Sequence, residues 1–221
     1  SSLDFKHIAG KAQMSFCLFG CKIYISPLFL LWLTALLIID KTGQISTMLL
    51  CCLCHEAGHL LTMAIIKCPP VSIDFFPFSI DVKKPKSPMP LVSELAIHMG
   101  GITTNFAICF LGFLLFSRCK KDNLFVFSAS NLGVGLFNLL PVSGLDGGNF
   151  LCCLLSSTCP ESADKICKAV SLVTLGFLFV LAVFLAISFC NASLFLFCIY
   201  TVLMSGSFCQ KRSRPSQSFG R

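Results

Sequence analysis

The feature that most constrains this chain is a succession of apolar stretches, each close to the length that crosses a bilayer. A spanning helix needs about 20 mostly apolar residues. Such stretches occupy residues 23–39, 44–66, 91–116, 124–140, 169–189 and 192–208. The fourth is interrupted at Pro141 and resumes after Asp146, and only Cys190 and Asn191 separate the last two. Charged residues are 12% of the chain, where a soluble domain carries about 25%. The expectation is an all-α polytopic membrane protein of about six transmembrane helices, with a broken fourth span. It is read as a single membrane-embedded domain over residues 1–221. The first apolar run has no convincing cleavage site after it and is read as a retained span.

Residues 71–82 do not have the pattern of a span. Val71, Ile73 and Phe75 alternate, and Phe76, Phe78, Ile80 and Val82 alternate in the opposite phase. A change of phase at Phe76-Pro77 suggests two short strands meeting at a bend. The segment is either a small amphipathic β-hairpin against the membrane face, between spans two and three, or a loop with scattered apolar residues.

The net charge of +7 reads as topology in so apolar a chain, not as a nucleic-acid footprint. Cytoplasmic loops collect Lys and Arg. With the N-terminus in the cytoplasm, 13 of the 17 Lys and Arg fall inside, and Lys41, Arg118, Lys120 and Lys121 fall outside. Both termini are therefore expected in the cytoplasm. Many of the 15 cysteines, among them Cys51, Cys52, Cys54, Cys109, Cys152 and Cys153, sit in apolar runs. There they are expected to pack as small, soft hydrophobes. Cys51 and Cys54 form a CxxC without a second pair at zinc-finger spacing.

The second apolar stretch contains His55-Glu56-Ala57-Gly58-His59, an HExxH. On a helix, residues four apart share a face one turn apart, so both imidazoles can reach one metal ion. Glu56 lies beside them, as a general base must. Ionisable groups at mid-bilayer cost about 2.5 to 3.5 kcal/mol each on insertion scales, so three within five residues are hard to explain as packing. Gly58 also permits close approach of a neighbouring backbone.

A catalytic zinc site needs a third protein ligand and one open position. Of the remaining histidines, His7 is in the N-terminal segment. His98, near Gly100 and Gly101, is either a satisfied interior residue or a group facing the site. Asp146 is the better candidate, within Asn138-Leu139-Leu140-Pro141-Val142-Ser143-Gly144-Leu145-Asp146-Gly147-Gly148. Pro141 stops the helix and the glycines permit unwound backbone. Irregular backbone at membrane depth survives only inside protein or beside a watery cavity, where an aspartate needs a partner. The competing role for Asp146 is that of a helix cap in an interfacial loop.

HEAGH in a span followed by NLLPVSGLDGG resembles the site-2 protease family of intramembrane zinc metalloproteases. Gly101-Ile102-Thr103-Thr104-Asn105 is similar to that family's GPxxN element, and Glu94 falls where the family often has an acidic residue. Order and spacing agree over about residues 20 to 208. The resemblance implies one Zn2+ per chain, with His55, His59 and Asp146 as its ligands and Glu56 as catalytic base. It implies that Asn138 positions substrate and that Asn105, Gly101 and Pro141 support the site. The implied activity is hydrolysis of peptide bonds in membrane-associated proteins. Three departures stand out: Ile102 in place of the usual Pro, Ser143 and Gly144 in place of one or two prolines, and Pro77-Phe78-Ser79-Ile80 at the hairpin tip.

The expectation is that the chain carries neither the PDZ nor the CBS domain of many relatives. Its compact plan is similar to the sporulation-type members, which process a membrane-tethered sigma-factor precursor under control of regulatory membrane proteins. Two other readings compete. A metal transporter would leave Glu56 without a task. A catalytically weak relative could serve as a membrane assembly partner.

Overall fold

The computed structural model describes residues 14–18, 21–76, 79–85 and 89–189. The chain divides into two compact units, residues 1–135 and 136–221.

The first unit opens with a four-stranded sheet in the order β1 (Met14–Leu18), β2 (Cys21–Ile25), β3 (Ser72–Phe76) and β4 (Ser79–Lys83). Strands β1 and β2 are antiparallel, β2 and β3 are parallel with Ile23 opposite Ile73, and β3 and β4 are antiparallel with Ile73 opposite Val82. Side chains alternate across a pleated sheet. That alternation assigns Ile23, Ile25, Ile73 and Phe75 to one face and Lys22, Tyr24, Ser72 and Asp74 to the other. Asp74, only 6% exposed, pairs with Lys83.

This sheet departs from the all-α expectation. Residues 23–25, read above as the start of the first span, are strand β2. Their β-branched and aromatic side chains suit a half-covered pleated surface, and the parallel pairing to β3 takes up their backbone groups. Helix α1 (Pro27–Ile39) begins afterwards, with Pro27 at its first position, where the missing N–H costs nothing. At 13 residues it is roughly 20 Å long, short of the ~30 Å hydrocarbon core. Phe29 packs on Phe75, ring centroids 5.5 Å apart, and ties the helix to the sheet.

Helix α2 (Gln44–Ile65) and helix α3 (Leu91–Cys119) follow the expected runs closely. Helix α2 closes with Lys67 at a left-handed φ of 56°, and the Cys68 N–H donates to the Met63 carbonyl at 2.9 Å. That is a Schellman closure, and Pro69 and Pro70 prevent continuation. The two helices meet backbone to backbone. A β-carbon at Gly58 would lie 2.6 Å from the Gly100 carbonyl, and one at Gly100 would lie 2.9 Å from the Gly58 carbonyl. Small residues are what allow transmembrane helices to approach this closely. Helix α4 (Asp122–Asn138) contributes buried Ser128 and Asn131 to the same unit.

The second unit contains the end of α4, an irregular loop over residues 139–145, helix α5 (Asp146–Thr158) and helix α6 (Pro160–Phe189). Helix α6 starts nine residues before the apolar run expected at 169–189, because Pro160 and Glu161 form a favourable first turn. Val142 from the loop packs with Leu175, Leu178 and Ala182 of α6. The sulfurs of Cys152 of α5 and Cys167 of α6 lie against each other.

Among the described residues, three helices, α2, α3 and α6, are long and apolar enough to cross a membrane. The broken fourth run is divided between α4 and α5, each shorter than a full span. The expected sixth run, 192–208, lies outside the described residues. Exposed Leu50, Leu53, Leu61 and Ile65 on α2 and Leu172, Val173, Phe177 and Val180 on α6 form apolar surface that soluble chains rarely show.

Candidate metal centre

His55 and His59 are one turn apart on α2, and their Nε2 atoms lie 3.1 Å from each other. Each ring is fixed from its other nitrogen by α3. His59 Nδ1 is 2.7 Å from the Ile97 carbonyl. A carbonyl only accepts, so this Nδ1 carries the proton. His55 Nδ1 is 3.2 Å from Asn105 Oδ1. The Asn105 amide is oriented by its Nδ2, which donates to the Cys51 carbonyl at 3.5 Å, so Oδ1 faces the imidazole as an acceptor. His55 Nδ1 therefore carries its proton too.

This assignment is the test of whether the site fits a metal. With both protons on Nδ1, both Nε2 atoms are left as lone-pair donors, 3.1 Å apart. A cation held by both is one arrangement that favours such closeness. Zinc–nitrogen bonds of about 2.0–2.1 Å at a tetrahedral angle separate two ligand nitrogens by roughly 3.3 Å. The separation is close to that value, so the donor pair fits a metal ion. Metal-binding histidines are commonly held through the second ring nitrogen in this way.

Gly101 makes room for the pair. A β-carbon there would lie 2.6 Å from His55 Cε1 and 2.6 Å from His59 Nε2, closer than any side chain can be tolerated. Asn105, fully buried, connects the site to a polar layer that the sequence reading missed. Asn131 of α4, also fully buried, donates from Nδ2 to Cys51 Sγ at 3.2 Å and to the Phe127 carbonyl at 2.9 Å. Cys51 is buried, as packing requires, but its thiol sulfur is also a hydrogen-bond partner. The signal in the sequence was weak: an asparagine in an apolar run, 80 residues from its partner. Glu56 lies on α2 between the histidines. His98 Nε2 is 3.5 Å from Lys84 Nζ. Glu94 sits in the first turn of α3, and His7 is outside the described residues.

In the second unit, Asn138 is the last residue of α4 and Asp146 the first of α5, after Leu145 in extended conformation. Pro141 lies in the loop between them. The loop that the sequence left doubtful for want of prolines is held by other means. The Ser143 N–H donates to Ser171 Oγ on α6 at 2.9 Å, Val142 is completely buried, and Gly144 adopts a φ of +101°. Gly147 passes so close to the loop that a β-carbon would lie 2.8 Å from the Leu140 carbonyl. His55, His59 and Asp146 form a group of side chains that could hold a metal ion, one ligand atom from each.

No protein-family model and no curated protein matches the chain. Among solved structures, it is similar to one described as a site-2 protease from Methanocaldococcus jannaschii. The two share 19% identity at a TM-score of 0.62, over 95% of this chain and 99% of that one. At this identity the likeness establishes the fold.

Proposed function

We propose that the chain is an intramembrane zinc metalloprotease of the site-2 type, acting on membrane-associated proteins. The observation that carries this reading is two Nε2 atoms 3.1 Å apart, with Glu56 next to His55 in sequence, within a helix apolar enough to cross a membrane. A storage or transport site would need the ligands but not Glu56. The fold shared with a site-2 protease supports the same reading.

His55, His59 and Asp146 would hold the ion and leave a position open for the reaction. When bound, zinc would polarise the scissile carbonyl and lower the pKa of a bound water to about 7. Glu56 accepts the proton of the attacking water and returns it to the leaving amine. Asn105 and the Ile97 carbonyl keep the imidazoles in the tautomer that leaves Nε2 available. Asn138 would orient the substrate backbone. A helical substrate has its carbonyls hydrogen-bonded and must unwind locally before Glu56 can serve it.

The substrate class is a single-span or membrane-tethered protein, with a sigma-factor precursor as the specific expectation from the compact plan. Both termini would face the cytoplasm, as would the β3–β4 pair, with regulatory membrane proteins as further partners. The test uses the purified full chain in lipid nanodiscs with a tethered sigma-factor precursor. Cleavage should require added zinc, stop with a chelator and return when zinc is restored. Cleavage indifferent to chelation would overturn the proposal, and zinc flux across a sealed vesicle without cleavage would replace it with transport.

A further inference from the structure

Among the described residues, the backbone amide of Ser143 ties the loop carrying Asp146 to a distant helix. Helix α4 ends at Asn138 and α5 starts at Asp146, so the intervening segment has no helix to satisfy its polar groups. Its Leu140 N–H donates to the Phe137 carbonyl at 3.2 Å, Val142 to Leu140 at 2.8 Å and Leu145 to Val142 at 3.0 Å. These bonds are local. They fold the segment on itself without fixing it to its surroundings. Pro141 has no N–H to offer. The Ser143 N–H differs, because it reaches 28 residues along the chain to the Ser171 hydroxyl.

Ser171 is 6% exposed, in the middle of α6, and one turn before Leu175. Its neighbours on that face, Leu175, Leu178 and Ala182, enclose Val142. The apolar contact sets how deep the loop sits, but packing of this kind has no direction. The hydrogen bond supplies direction: it holds one peptide plane, three residues before Asp146, in a single orientation. A hydroxyl in an otherwise apolar helix face is costly unless it has such a task.

We propose that Ser171 is a positioning residue for Asp146, acting through the Ser143 amide and the two residues between, Gly144 and Leu145. The proposal rests on the reading of Asp146 as a metal ligand. Groups bonded directly to a metal ligand change metal affinity by about 10- to 100-fold when removed, and Ser171, which acts through the backbone, belongs at the low end of that range. In sequence terms, the hydroxyl does at Ser143 what a proline's fixed ring would do there by stiffening the backbone.

The test compares the full chain in nanodiscs with its Ser171→Ala and Ser171→Thr variants. Cobalt is titrated against a competing chelator, and amide exchange is followed by mass spectrometry over residues 140–146. Ser171→Ala should weaken cobalt binding about tenfold and speed exchange in this segment. Ser171→Thr, which keeps the hydroxyl, should restore both. Unchanged exchange in Ser171→Ala would overturn the tether. Faster exchange with unchanged cobalt affinity would overturn the link to Asp146. If the unaltered chain binds no cobalt, the metal reading fails, and this proposal fails with it, while the exchange result still decides the tether. Should the alanine variant not fold, Ser171→Cys keeps the volume with a weak acceptor and should show the same pair of changes.

Discussion

The histidine side of the candidate site and its aspartate side are built on opposite plans. His55 and His59 sit on a 22-residue helix, and each ring is held by its own partner on α3. Beneath them lie fully buried Asn105 and Asn131, linked through Cys51. Asp146 follows seven residues of irregular backbone, which pack through Val142 on α6 and donate a hydrogen bond from the Ser143 N–H to Ser171 Oγ. A helix fixes side-chain direction by its own periodicity, so the chain needs only to choose the right spacing. A loop has no such default, and each peptide plane must be fixed by an outside contact. The difference teaches that the two histidines form a preset pair, while Asp146, the proposed third ligand, is the adjustable member.

The contrast is broken most severely at Gly101. Gly101→Ala places a methyl group 2.6 Å from both imidazoles. Overpacking costs about 1–3 kcal/mol, and the rings can yield only by leaving the shared position. Metal binding should be lost, with a lowered Tm, by equilibrium dialysis and thermal scan. Normal zinc content in Gly101→Ala would show that the histidine pair is less rigid than argued.

Asn105→Leu should have the next largest effect. It removes the acceptor that keeps the His55 proton on Nδ1. Zinc affinity should fall about 10- to 100-fold, and the 15N shifts of His55 should reveal a mixture of tautomers. Retention of the single tautomer would mean that the metal alone sets it.

Much of the histidine side was legible in the sequence because HExxH, GxxxN and apolar runs are local patterns that a helix converts directly into positions. The ends of α2 agree with the apolar run to one residue. The loop was legible as an interruption, through Pro141 and the glycines, but not in its support. Ser143 and Ser171 are 28 residues apart with no periodicity connecting them. The sheet was read only in part. Residues 23–25 are apolar enough to pass for membrane helix, and only the pairing of β2 with β3, a tertiary contact, reveals them as strand. Asn131 escaped notice because its partner is a cysteine sulfur on another helix.

Asn131→Leu should have a smaller effect. The substitution removes a donor to Cys51 and also eliminates Asn131 Oδ1, a buried oxygen that has no hydrogen-bond partner. The two changes offset in stability. Tm should move little, while zinc affinity falls by less than in Asn105→Leu. An equal fall in both would place Asn131 directly in the ligand support.

The smallest effect lies in the turn between α1 and α2. Ser46 donates to Asp40 Oδ2 from its N–H at 2.7 Å and from its hydroxyl at 2.6 Å, and these bonds hold the Asp40 carboxyl below its ordinary pKa. A depressed carboxylate stabilises the fold above the unfolded value, about 3.9, and that contribution is lost as pH falls through the folded value. Acid should therefore loosen this turn, seen as faster proteolysis near Thr42, and Ser46→Ala should move that loosening to higher pH. Identical acid profiles for the two proteins would remove Asp40 from the account.

The central claim is that Glu56 moves the proton and does not hold the metal. It is tested most directly by measuring zinc content and cleavage together in Glu56→Gln. The account predicts one zinc per chain, as in the unaltered protein, with cleavage abolished. Cleavage retained in that variant, or zinc lost along with it, would contradict the role assigned to Glu56.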